Sequence, residues 1–282
     1  MRLSLLVAAA LLVVFAGFVA LVPKPHEPRF QNQEQQNRHV IERFLAGGAT
    51  LPVVYVGSSM AARLAGDVDT RCVYDLALAG ESALTGLRVL VDAPAAPRAV
   101  FIEINVPERP ANTRLIAQSD GWLAAHLRLF ATENKPVNLL LSYLSQLRKA
   151  PLRGVDARLQ TIGLDVQRVS YAQIVAPPLL QRNLKEIEAD VRTLQKRGTQ
   201  VVLFELPVHP SLEDTPRARQ IRAAFRATFP DLGFVSADEL GRGEPIRTVD
   251  GVHLALDESP RVAASLASHH SAACASGRTG PS

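Results

Sequence analysis

The stretch LPVVYVGSSMAARL, residues 51–64, joins a short run of apolar, β-branched residues to a helix-forming segment through Gly57, Ser58 and Ser59. Short valine-rich runs that end at a turn are typical of buried strands. The serines therefore lie where a strand ends, at the edge where parallel sheets place their functional sites. Either serine is a candidate nucleophile. Alternatively, the three residues form only a turn that caps the next helix, a position that serine and glycine favour.

Further segments of the same composition follow, and helical patterns separate them. The other predicted strands are 71–78, 99–106, 200–206 and a short one near 233–236. The predicted helices are 121–129, 136–147, 179–196 and 215–229. Strands that alternate with helices indicate βαβ units, so the sequence predicts an α/β protein with a mostly parallel sheet covered on both faces.

The amino terminus predicts export from the cytoplasm. Residues 3–22 contain no charged side chain, and at ~1.5 Å of rise per residue such a helix crosses a hydrocarbon core ~30 Å thick. An uncleaved anchor is favoured over a cleaved signal peptide because bulky Phe18 occupies the place where a small residue should precede Ala20. Both interpretations place the rest of the chain outside the cytoplasm.

The remaining chain divides by composition. Residues 1–22 are the anchor or signal, and 23–39, rich in Pro and then in Gln and Asn, form a predicted polar stalk. A globular domain is expected over 40–267, followed by a disordered tail at 268–282. Within the domain, 107–177 is longer than one crossover helix requires and predicts a helical insertion that shapes a cap or an acceptor surface.

Composition argues against several classes of protein. The net charge of +4, from 31 basic and 27 acidic residues, is scattered along the chain, which does not favour a nucleic-acid partner. The sequence has neither a GxGxxG nor a Walker motif, so no nucleotide cofactor is expected. Its two cysteines, Cys72 and Cys274, are far apart. We expect them to be unlinked, one buried and one a free thiol in the tail, and we expect no metal site.

A base for a serine nucleophile occurs in TVDGVHLALDESP, residues 248–260, where Asp250 and His253 are three residues apart. Serine catalysis needs a histidine to remove the hydroxyl proton, a carboxylate to orient that histidine and donors for the oxyanion. The spacing allows Asp250 to orient His253 towards the serine, although a surface turn is the simpler interpretation of this pair. Candidate donors follow the next strands: the Gly80 amide in LALAGES and the Asn105 side chain in IEINV.

Four blocks in this order, VGSSM, AGES, EIN and DGVHL, resemble the SGNH or GDSL-like hydrolases and acyltransferases over residues 50–265. The resemblance implies a three-layer, flavodoxin-like α/β fold. It further implies a triad of Ser59, Asp250 and His253. The implied oxyanion hole combines the amides of Ser59 and Gly80 with the Asn105 side chain.

The chain departs from the family pattern beside the candidate nucleophile. Ser58 stands where many members carry aspartate, and Glu103 stands where glycine is usual. Ser58 and Glu103 are therefore candidate substrate contacts, with a Glu103 that faces away from the site as the alternative. His209, which follows the fourth predicted strand at the same edge, is a third candidate. For His209, which lies in a proline-flanked loop, a structural role is the favoured interpretation.

The resemblance also implies a function. It predicts a membrane-anchored serine esterase or O-acyltransferase, of O-acetyl groups in particular, on the periplasmic or extracytoplasmic face. The predicted substrate is a cell-envelope or exported polysaccharide, and a membrane acyl carrier is a candidate partner. Two alternatives remain open: an esterase of small esters or lipids, and a non-catalytic carbohydrate-binding or assembly protein in which Glu103 spoils the oxyanion hole.

Overall fold

Five short strands form a parallel sheet in the computed structural model, which describes residues 2–21, 28–119, 128–147 and 157–275. The strands are β1 (Val53–Gly57), β2 (Val73–Ala77), β3 (Ala99–Glu103), β4 (Gln200–Phe204) and β5 (Gly233–Val235). Their spatial order is β2-β1-β3-β4-β5, and every neighbouring pair is parallel. This is the strand order of flavodoxin-like doubly wound sheets. The predicted α/β class and parallel sheet are confirmed.

Helices cover both faces of this sheet. Their bounds are α1 (Arg2–Leu21), α2 (Gln33–Ala46), α3 (Ala83–Asp92), α4 (Thr113–Ser119), α5 (Pro136–Leu147), α6 (Ala157–Tyr171), α7 (Pro177–Lys196), α8 (Pro210–Glu213), α9 (Pro216–Thr228), α10 (Ala237–Gly241), α11 (Ser259–Ser268) and α12 (Ser271–Ala275). Because side chains alternate along a strand, Val54 and Val56 pack under α3 and α7, whereas Val53 and Tyr55 face α11 and the 3-10 turn Ala61–Leu64. The serines are thus followed by a 3-10 turn and not by the expected α-helix.

The predicted polar stalk is wrong from residue 33 onwards. Helix α2 begins there, with the Asn32 side chain accepting a hydrogen bond from the amide of Gln35. Asn37 is buried, and its side-chain amide exchanges hydrogen bonds of 2.8 and 3.0 Å with the backbone of Ala79. Buried polar groups are tolerated when they are paired in this way. Composition alone therefore misplaced the start of the folded domain, and residues 23–27 of that segment lie outside the described residues.

The carboxyl terminus also differs from expectation. Cys72 and Cys274 form a disulfide with a Cα–Cα distance of 5.6 Å. Beside it, His270 Nε2 lies 2.6 Å from the Tyr55 hydroxyl. The prediction of unlinked cysteines is wrong, as is the prediction of disorder for residues 268–275, because α11 and α12 pack this segment against the sheet. Residues 276–282 lie outside the described residues.

The amino-terminal helix and the insertion complete the molecule. Within the described residues, Ser4–Leu21 is the one segment long and apolar enough to cross a membrane, and none of it is buried. The insertion contributes α4, α5 and α6, and α5 matches the helix predicted at 136–147. The helix predicted at 121–129 lies mostly outside the described residues.

Candidate active site

Ser59, His253 and Asp250 lie together at the carboxyl edge of the sheet. Ser59 is the second residue after β1, and its Oγ is 2.8 Å from His253 Nε2. His253 Nδ1 is 2.6 Å from Asp250 Oδ2. With Nδ1–H directed at the carboxylate, Nε2 is left to accept the serine proton. All three side chains are partly exposed, so the hydroxyl can be reached from solvent.

A tight turn holds the carboxylate in place. Asp250 Oδ1 accepts the backbone amides of Val252 at 3.1 Å and His253 at 2.9 Å. Gly251 adopts a φ of 98° and donates its amide to the Thr248 hydroxyl. Burial alone raises the pKa of Asp250, but hydrogen bonds from the side chain and amide of His253 outweigh it and lower the pKa to about 2. The carboxylate is therefore ionised throughout the neutral range.

The insertion helix α6 supports the same turn. A Cβ added to Gly163 would lie 2.7 Å from Asp250 Cβ and 3.0 Å from its Cα, so only glycine permits this approach. Nearby, Gln160 donates to the Thr248 carbonyl at 2.6 Å. Sequence reasoning missed Gly163, although an isolated glycine inside a helical pattern is a signal of close packing.

Glu103 organises the turn that carries Ser59. Its Oε2 accepts the Ser58 amide at 2.6 Å, and its Oε1 accepts the Ser58 hydroxyl at 3.0 Å. The Ala61 amide is a further donor to this carboxylate. Burial raises the pKa of Glu103, and these donors oppose that rise. Gly57 leaves room for the carboxylate, since a Cβ there would lie 2.6 Å from Oε2.

Two backbone amides, one after β1 and one after β2, remain candidate oxyanion donors. Neither the Ser59 nor the Gly80 amide has a hydrogen-bond acceptor among the described residues. Gly80 has a φ of 76°, a left-handed conformation that glycine adopts without strain. Unpaired amides at a strand end are the groups that an oxyanion requires.

Asn105 is occupied differently from the prediction. Its Nδ2 donates to the Leu206 carbonyl at 2.9 Å, and its Oδ1 accepts the Leu206 amide at 2.8 Å. The side chain thus connects the segments that follow β3 and β4. A carboxamide has two donor hydrogens, so one hydrogen on Nδ2 remains for another acceptor.

The candidate substrate contacts have mainly structural partners. Ser58 and Glu103 are only 1% and 3% exposed and bind each other, which is inconsistent with direct contact to a substrate. The His209 ring caps α8 by accepting the Ser211 amide at 3.2 Å. Its backbone amide donates to the Gly251 carbonyl at 2.8 Å. His209 therefore contacts the Asp250 turn through its backbone.

No family model matches the sequence, and no curated protein matches it. The fold and site define an α/β protein with a five-stranded parallel sheet and a hydrogen-bonded Ser–His–Asp array at its carboxyl edge.

Proposed function

We propose that this protein is a serine-dependent acyl-transfer enzyme of the SGNH type, acting as an esterase or an O-acyltransferase. The observation that carries the proposal is the continuous array from Ser59 Oγ through His253 to Asp250, with contacts of 2.8 and 2.6 Å. The two unpaired amides at Ser59 and Gly80 support it, because acyl transfer needs both a nucleophile and an oxyanion site.

The proposed reaction proceeds through an acyl-enzyme. His253 Nε2 takes the Ser59 proton while Oγ bonds to the ester carbonyl carbon, and the amides of Ser59 and Gly80 bind the oxyanion. Collapse breaks the bond to the leaving alcohol, which receives the proton from His253. His253 then takes the proton of water or of an acceptor hydroxyl while that oxygen bonds to the acyl carbon, and it gives the proton to Ser59 Oγ as the bond between Oγ and the acyl carbon breaks. Asp250 stabilises the imidazolium in both halves.

The acceptor distinguishes the two activities. Water gives an esterase, and a sugar hydroxyl gives a transferase. The Cys72–Cys274 disulfide supports an oxidising compartment, and the apolar helix α1 supports attachment to the membrane. On these grounds we propose that the domain faces the periplasm or cell exterior and transfers acyl groups, acetyl in particular, on envelope or exported polysaccharide, from a membrane acyl carrier.

The hydrogen bonds of the buried Glu103 carboxylate argue against the non-catalytic alternative. That alternative required Glu103 to project into the oxyanion site and repel the developing charge. Both of its oxygens instead accept hydrogen bonds from residue 58. We therefore favour the enzyme over a non-catalytic carbohydrate-binding or assembly protein.

A fluorophosphonate probe tests the nucleophile. Wild-type protein should be labelled and should hydrolyse a synthetic acetyl ester, whereas Ser59→Ala should lose labelling and His253→Ala should slow it by about 10⁴-fold or more. Ser58→Ala is the matched control: it keeps the Ser59 hydroxyl but loses one hydrogen bond to Glu103, so it should still be labelled, at a reduced rate. Absence of labelling and of ester cleavage in the wild type would overturn the proposal, and loss of labelling in Ser58→Ala alone would reassign the nucleophile.

Acetyl transfer to added polysaccharide, measured against hydrolysis of the same ester, separates the two activities. A transferase should give acetylated polymer that depends on Ser59. If no acetylated polymer forms and the rate of ester hydrolysis is unchanged by the polymer, the esterase assignment is retained.

A further inference from the structure

Helix α5 presents an apolar stripe to the outside of the protein. Its members and their exposed fractions are Val137 at 49%, Leu140 at 58%, Leu144 at 48% and Leu147 at 81%. Spacings of three, four and three residues place them along one side of a helix. The opposite side packs inward through the buried side chains of Asn138, Leu139 and Ser142. The helix is therefore amphipathic with its exposed face apolar, the reverse of a usual surface helix.

The same helix receives the chain as it arrives from the amino-terminal apolar segment. The backbone amide of Arg29 donates to the Ser142 hydroxyl on α5 at 2.7 Å. Helix α1 ends at Leu21, so eight residue steps separate it from this attachment point. At no more than ~3.6 Å per residue the connection reaches at most about 29 Å. Helix α5 is thus confined to the neighbourhood of the end of α1.

We propose that the apolar stripe of α5 rests in the interfacial region of the membrane that α1 crosses. The inference rests on the membrane anchoring included in the proposed function. An amphipathic helix binds this region with its apolar side chains ~5–10 Å inside the headgroup boundary. A short connection to α1 makes that contact intramolecular and so raises its effective concentration.

The size of the stripe favours lipid over a second copy of the chain. A helix of 12 residues is about 18 Å long and ~10 Å wide, which gives a face of about 200 Å². A stable protein interface buries ~800 Å² on each partner. One helix face is too small to hold a dimer, whereas a bilayer places no such requirement on it.

Depth-dependent fluorescence quenching tests the contact in the full chain, reconstituted into nanodiscs whose lipids carry an acyl-chain nitroxide. Because both native cysteines are in the disulfide, Leu144→Cys can be labelled with bimane under non-reducing conditions. We expect this label to lose most of its fluorescence. Gln195→Cys, on the exposed side of α7, is the control and should remain unquenched.

A second variant separates membrane contact from other causes of quenching. Leu140→Glu with Leu147→Glu should restore the fluorescence of the label at position 144, because two charges disfavour the membrane interior. Val166→Glu with Val169→Glu, which places the same two charges on exposed apolar residues of α6, should leave the quenching unchanged.

The outcomes are decisive for this inference and separable from those of the enzymatic proposal. An incorporated chain whose label at 144 stays unquenched overturns the membrane contact, and a blue-shifted but unquenched label indicates a second copy instead. Failure of the full chain to enter nanodiscs overturns the anchoring and the contact together. Fluorophosphonate labelling of Ser59, measured on the same samples, reports separately on the catalytic proposal.

Discussion

At the scale of single residues, Glu103 illustrates why a side chain read from sequence alone can be misassigned. Its place two residues before Asn105, where the family that the sequence resembles usually has glycine, suggested a carboxylate that enters the site and spoils the oxyanion hole. Its oxygens instead accept the amide and hydroxyl of Ser58, one residue before the candidate nucleophile. The carboxylate therefore positions the turn that directs Ser59 towards His253.

Glu103→Gln tests this positioning role. The Ser58 amide and hydroxyl donate to different oxygens of Glu103. A carboxamide replaces one of these oxygens with an NH2 group that cannot accept, so the turn must rearrange. Because small misplacements of a reacting group are costly, we expect fluorophosphonate labelling to slow by about 10²-fold. Glu205→Gln, at another buried carboxylate, is the control. Labelling of Glu103→Gln at the wild-type rate would contradict the role.

Asp75 carries a separate prediction about pH. Its Oδ1 accepts the Ala77 amide at 2.9 Å, but its enclosed Oδ2 has no hydrogen-bond partner among the described residues. Burial raises the pKa of Asp75 to about 7. The hydrogen bond from Ala77 opposes this rise, and the nearby charge of Glu103 adds to it. An unfolded aspartate has a pKa of ~3.9, so the folded state binds more protons between these values. Its contribution to stability is lost as pH rises from about 4 to about 7.

Asp75→Asn should therefore raise the free energy of unfolding at pH 8 and change it little at pH 4. Urea titrations of the full chain in detergent, followed by circular dichroism, measure this difference. Asp67→Asn, at an exposed position, serves as the surface control. Equal effects of Asp75→Asn at both pH values would show that its ionisation does not affect folding.

At the scale of elements, α6 determines where the Asp250 turn can lie. Gly163 allows the helix backbone to approach Asp250 closely, and Gln160 binds the Thr248 carbonyl. The insertion was predicted to shape a cap or an acceptor surface. Its last helix supports the turn that holds Asp250 and His253.

Gly163→Ala separates positioning from stability. Alanine is favoured over glycine in a helix by ~1 kcal/mol, which opposes any loss of stability from the new methyl group. That methyl group must displace Asp250, so labelling of Ser59 should slow at least tenfold while the thermal midpoint changes little. Ser170→Ala, at an exposed position of α6, is the matched control. A normal labelling rate in Gly163→Ala would show that the turn adapts.

At the scale of the whole molecule, the Cys72–Cys274 disulfide ties the carboxyl-terminal helix to the start of β2. The bond spans 202 residues of sequence. Closing a long loop restricts the unfolded chain, and removing such a bond costs about 2–4 kcal/mol. The disulfide also keeps α12 beside Tyr55, where His270 meets the tyrosine hydroxyl.

Replacing both cysteines with alanine should therefore lower the free energy of unfolding by about 2–4 kcal/mol. Cys72 lies beside Val53, at the start of β1, because its carbonyl accepts the Val53 amide. Ser59 follows the opposite end of this strand, so its labelling rate below the unfolding transition should be preserved. Urea unfolding of the full chain, with and without a reductant, measures the effect. A reductant-insensitive wild type would indicate that the bond contributes little.

Local patterns in the sequence determined the α/β class, the strands and the order of Ser59, Asp250 and His253, because strand and helix periodicities are properties of neighbouring residues. The carboxyl-edge rule placed Ser59 at a candidate site, and the resemblance to the SGNH hydrolases predicted that Asp250 and His253 would meet it there. Tertiary structure alone decided that Asn37 pairs with Ala79, that Glu103 holds Ser58, that Gly163 abuts Asp250 and that the cysteines join. Asn37 and Ala79 are 42 residues apart in the sequence, Ser58 and Glu103 are 45 apart, and the two cysteines are 202 apart. Periodicity describes only neighbouring residues, so it does not specify which distant side chain will fill a given space.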